Sequence, residues 1–138
     1  MIVLQTSQID EIFASALKAV PAECCGLVGG TPAGKATSIY PLRNIAQQKM
    51  VSYEAAPEDL FVAQRQMRER DETLLGIYHS HPRSVEPEPS ETDVRLAFYP
   101  RAVYFIVGLG GPAPVMRAFR ISERDECWEQ VEYDIAGE

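Results

Sequence analysis

Residues 73–93 read TLLGIYHSHPRSVEPEPSETD, and the rest of the chain is organised around them. The run from Thr73 to His79 is apolar enough to predict a strand, the prolines and glutamates from Pro82 to Pro89 a loop, and Ser90 the start of a short helix. Both histidines of the chain fall at the end of the strand, as His79-Ser80-His81. Strand side chains alternate faces, so positions two apart project together and can set two imidazoles around one cation. Asp93, on the first turn of the helix, adds a carboxylate. Two imidazoles and a carboxylate leave a coordination position open, which separates a catalytic zinc from a closed structural one. Ser90-Glu91-Thr92-Asp93 also has the spacing of a capping box, so helix initiation accounts for Ser90 and Asp93 equally well.

Upstream, MIVLQ predicts a first strand, and Ser7 with Asp10 the capping box of a helix. Ile9, Ile12, Phe13, Ala16, Leu17 and Val20 recur at three- and four-residue steps, one buried helical face, which Pro21 ends. Glu23 to Gly30 and Thr37 to Leu42 read as a hairpin joined through GGTPAGK. Val51 to Tyr53 predicts a short strand. Pro57 fits the first turn of a helix running to about Arg70, with Leu60, Phe61, Ala63 and Met67 apolar. Downstream, AVYFIVGL, VMRAFRI and CWEQVEYDI predict three strands, with a GGPAP turn between the first two. Strict βαβ alternation is missing. The expected fold class is therefore α/β (α+β), a mixed and mostly antiparallel β-sheet with flanking helices, in one domain over residues 1–138.

A chain of 138 residues, 46% of them hydrophobic, can close one core, since a domain of this size removes roughly two-thirds of its unfolded surface from water. The net charge of −7, with no Lys/Arg cluster, opposes binding to a polyanion, so no nucleic-acid partner is expected. Three cysteines, two adjacent at Cys24 and Cys25, give no paired disulfide framework and fit a reducing compartment. The N-terminus lacks a basic and then long apolar leader, and no run approaches the length of a membrane span. A cytoplasmic protein with no membrane partner is expected.

Glu23 stands in PAECCGLVGG, at the entry to a strand otherwise apolar or small. A carboxylate there either remains in water at an edge or is costly to bury without a partner. Its functional reading is a base that takes a proton from water and returns it to a leaving amine. Gly29, Gly34 and Lys35 have the spacing of a phosphate-binding loop. Ala36 replaces the required Ser or Thr, Pro32 removes an amide and a strand follows, so a hairpin turn reads better. Cys25 has no base once both histidines serve a metal and reads as a packing residue. Glu86, Glu88 and Glu91 read as solvated loop charges.

Taken together, Pro21-x-Glu23-x-Cys25-Gly26, His79-Ser80-His81-Pro82 and Ser90-x-x-Asp93 resemble the signature of the JAMM (MPN-plus) metalloproteases. The resemblance runs from the first helix to the strands after Asp93 and is closest to the compact bacterial members. It implies a cytidine-deaminase-like fold, a Zn2+ on His79, His81 and Asp93, a zinc-bound water activated by Glu23, and Ser90 donating to the oxyanion of a tetrahedral intermediate. It further implies a peptidase or isopeptidase acting on the Gly-Gly tail of a ubiquitin-like, sulfur-carrier-type protein. Family members that have lost the metal ligands serve as interaction scaffolds, an alternative that the retained Glu, His, Ser and Asp argue against. A zinc nucleoside deaminase shares the fold but needs a P-C-x-x-C pair that is absent. Eight residues separate His81 from Ser90, one more than the family pattern usually carries. A loop with internal prolines can absorb it, because loop length is cheap.

Overall fold

Runs rich in β-branched and aromatic residues, bounded by Gly and Pro, become the strands of the computed structural model, which describes residues 1–137. In chain order the elements are β1 (Val3–Gln5), α1 (Thr6–Ala19), β2 (Cys25–Gly30), β3 (Ala36–Leu42), α2 (Pro57–Glu69), β4 (Thr73–His81), α3 (Glu91–Arg95), β5 (Val103–Gly108), β6 (Val115–Ser122), β7 (Cys127–Val131) and β8 (Asp134–Ala136). Six strands form one sheet in the order β3-β2-β4-β5-β6-β7. Every pairing in it is antiparallel except β4 with β5. Parallel neighbours cannot be joined by a hairpin, so the chain crosses over between them, carrying α3 outside the carboxyl end of β4.

Two apolar clusters sandwich the sheet. On one face Tyr78, Val28 and Phe105 pack against Ile9, Ile12 and Ala16 of α1; on the other Ile77, Leu27, Tyr104 and Ile106 pack against Ala63 and Met67 of α2. The register of β2 on β4 shifts between Val28 and Gly29, and beyond that bulge the alternation of β4 is regular. His79 and His81 therefore continue the face of Ile77, on the α2 side. Gly26 is required by this packing: a Cβ there would meet the Tyr78 ring at 2.2 Å.

Several expectations are corrected. Helix α1 starts directly on β1, and Gln8 Oε1 accepts from Gln5 N at 2.8 Å, so Ser7 and Asp10 lie inside the helix and form no capping box. Its buried face ends at Ala16, leaving Leu17 and Val20 exposed, and Phe61 of α2 is exposed as well. Residues 51–53 form no strand; Val51 N and Ser52 N both donate to Gln48 O in a turn. CWEQVEYDI divides into β7 and β8. Tyr133 packs edge-on against Phe105 and donates to Met116 O, which turns the chain out of the large sheet to pair β8 in parallel with β1. The GGTPAGK hairpin forms as read, with Thr31 N bonded to Lys35 O. All three cysteines are free, and no helix among the described residues is long and apolar enough to cross a membrane.

Candidate metal centre

The carboxyl end of β4, beside its parallel neighbour, is where open sheets place ligands. His79 sits there in register with Cys25 of β2 and Ile106 of β5 and is fully buried; His81 is half-buried at the strand's last position. The following loop is packed rather than loose. Ser84 N donates to His81 O, Gly110 N to Ser84 O, Pro87 is buried, and a Cβ on Gly108 would meet Ser84 O at 2.6 Å and Pro87 Cδ at 2.8 Å. The loop delivers Ser90 to the start of α3, where Ser90 Oγ accepts from Asp93 N at 3.0 Å and Asp93 Oδ2 from Ser90 N at 2.9 Å. The capping box forms, and it aims the carboxylate at the histidines.

The expected ligand atoms converge. His79 Nε2 lies 3.2 Å from His81 Nε2 and 3.1 Å from Asp93 Oδ2, and His81 Nε2 lies 3.0 Å from the same oxygen. Ligands at zinc's usual distances in a tetrahedron stand about 3.3 Å apart, so the spacing and donor set fit that ion. Burial alone would raise the Asp93 carboxyl, but the charge and hydrogen bond of His79, joined by His81 and the Ser90 amide, hold it far below the ordinary carboxylate range. For His81 burial works to lower the imidazole, and Asp93 outweighs it, leaving the group raised. The three groups could together hold a metal ion.

Glu23 is 5% exposed, just ahead of β2, not at a wetted edge. Burial raises its carboxyl, and His79 and His81 oppose the rise. Its Oε1 has no hydrogen-bond partner among the described residues, a loss worth about 1–3 kcal/mol that folds tolerate mainly where a group has other work. Its backbone is firmly held: Glu23 N donates to Lys49 O, and Asn44 Nδ2 donates to Glu23 O at 3.0 Å. Ser80 Oγ accepts from Cys24 N at 2.8 Å, tying that entry to β4.

The places of Tyr53 and Asn44 at the site, and the hydrogen bond that Ser80 accepts, were not foreseen from the sequence. Tyr53 stacks on His79 with ring centroids 4.7 Å apart and planes at 28°. In the sequence Tyr53 reads as part of a short strand and Asn44 is given no role; only the fold brings their loop over the site. Cys25 packs as read, its Sγ directed at Leu42 O, with burial pushing the thiol up to about 12. Alongside Tyr53 and Asp93 opens a cavity of about 500 Å3 walled by Leu42, Leu60, Ile77 and Phe98.

A His-His-Asp group able to hold a metal, set at the end of a central strand in an α+β sandwich, is the class of site this arrangement defines. Residues 5–122 match the family described as prokaryotic homologs of the JAB domain, the JAMM/MPN fold, and the chain belongs to that family. Over 92 residues it is 38% identical to desampylase of Haloferax volcanii, covering 66% of each protein. It is 32% identical to CysO-cysteine peptidase of Mycobacterium tuberculosis over 126 residues, 88% of this chain and 83% of the relative. The solution structure of a protein from Desulfitobacterium hafniense, 35% identical, matches with a TM-score of 0.88 over 100% of this chain and 94% of the other.

Proposed function

We propose that residues 1–138 form a single zinc-dependent peptidase or isopeptidase domain that hydrolyses an amide bond at or near the C-terminal Gly-Gly tail of a ubiquitin-like, sulfur-carrier-type protein. The main support is the convergence of His79 Nε2, His81 Nε2 and Asp93 Oδ2 within 3.0–3.2 Å of one another, together with a buried Glu23 whose Oε1 has no hydrogen-bond partner among the described residues. The substrate class is suggested by relatives named desampylase and CysO-cysteine peptidase.

Zinc, when bound by His79, His81 and Asp93, supplies a Lewis acid that polarises a carbonyl and acidifies water. Glu23 takes the proton of the attacking water and returns it to the departing nitrogen; burial, by raising its carboxyl, brings its proton affinity closer to that task. Ser90 Oγ spends a lone pair on Asp93 N and keeps its hydrogen for the oxyanion that develops on the substrate carbonyl. The apolar cavity beside Asp93 receives a length of substrate chain and keeps water out. Three free cysteines favour the cytoplasm as the working compartment.

The test offers zinc-loaded protein the Gly-Gly-ended small proteins of its own host, each extended by one amino acid or linked to a lysine, and follows release by mass spectrometry. Release of the extension from at least one of them is expected. A zinc-loaded protein that cleaves none is instead the interaction scaffold.

A further inference from the structure

A histidine that ligates a metal through one ring nitrogen is ordinarily steered by a hydrogen bond from the other, usually to a carbonyl or carboxylate. His79 is not. Its Nδ1 is buried and has no partner among the described residues, although the residue as a whole is 0% exposed. The ring is held by its neighbours' faces instead. Tyr53 lies over it in a stack, and His81 meets it edge-on at 5.0 Å.

Tyr53 is in turn fixed from both sides. Asn44 Nδ2 donates to Ser52 O at 3.1 Å and Asn44 Oδ1 accepts from Glu54 N at 3.0 Å, so one side chain grips the residues before and after Tyr53. The same amide group donates to Glu23 O. A single asparagine therefore ties the residues flanking the stacked ring to the backbone of the proposed base. Tyr53 also lines the apolar cavity and stands between it and His79.

We infer that Tyr53 is a positioning residue for the metal, orienting the His79 imidazole by stacking in place of the missing hydrogen bond, with Asn44 holding the stack in register with Glu23. The inference rests on the metal reading above. Replacing the ring should therefore act on metal binding itself, before any substrate is present.

The experiment measures metal affinity by chelator competition and records the visible spectrum of the cobalt-substituted protein, for wild type, Tyr53→Phe, Tyr53→Leu and Asn44→Ala. Folding of each is followed by circular dichroism. Tyr53→Phe keeps the stacked face and should match wild type in both readouts. Tyr53→Leu should bind about ten- to a hundredfold more weakly with an altered cobalt spectrum, and Asn44→Ala should shift both in the same direction. Tyr53→Leu with wild-type affinity and spectrum overturns the inference, and so does Tyr53→Phe losing as much as Leu, since the hydroxyl would then be the active part. A wild type that binds no metal would instead sink the metal reading, so the two failures are told apart.

Discussion

Asp93 shows how two explanations of one residue need not compete. Its Oδ2 accepts from the Ser90 amide, closing the cap of a helix only five residues long, and the same oxygen stands 3.0 Å and 3.1 Å from the two imidazoles. So short a helix has little intrinsic stability, and the cap stiffens it where the carboxylate must be held. Glu23 has no structural duty of that kind; its Oε1 is buried and has no hydrogen-bond partner among the described residues. As a group outside the ligand set it should be dispensable for holding metal. Glu23→Gln is expected to keep wild-type zinc content by elemental analysis while turnover falls at least roughly a hundredfold. Cleavage at the wild-type rate by that variant would remove Glu23 from the mechanism. His79, His81 and Asp93 were legible in the sequence because one strand, one loop and one helical turn carry them all. Glu23 was harder to assign, because its approach depends on β2 pairing with β4, and that pairing is written in no local pattern.

The β2–β4 pair is the element that joins the proposed base to the proposed metal ligands. Cys25 lies opposite His79 and Gly26 opposite Tyr78, and only a glycine leaves room for the Tyr78 ring. Gly26→Ala should therefore strain the pair, lowering unfolding free energy in urea by about 1–3 kcal/mol or more, the usual penalty of overpacking. A variant as stable as wild type would mean that Tyr78 is not seated on Gly26. The periodicity of α1, the GGTPAGK hairpin and the strand ahead of the histidines were readable because each is local. What misled the reading were contacts made at long range. Asn44 draws residues 44–54 into a loop by three hydrogen bonds, overriding the strand-like Val51 to Tyr53, and a fourth ties that loop to Glu23 O. Tyr133 pulls β8 away to β1, where an unbroken final strand had been expected.

At the scale of the molecule, the order of strands turns these local features into one site. The single parallel neighbour of β4 forces the crossover that brings Ser90 and Asp93 back over the strand end, and α2 closes the same face to leave the apolar cavity alongside. A net charge of −7 suits a protein or peptide substrate better than a polyanion. The central claim is that this assembly hydrolyses an amide bond only through a metal held by His79, His81 and Asp93. It is tested most directly by stripping the protein with a chelator and measuring cleavage of a Gly-Gly-extended substrate as zinc is added back. Cleavage should be absent at the start, rise in proportion to added zinc and level off at about one ion per chain. Undiminished cleavage by the stripped protein would contradict the account.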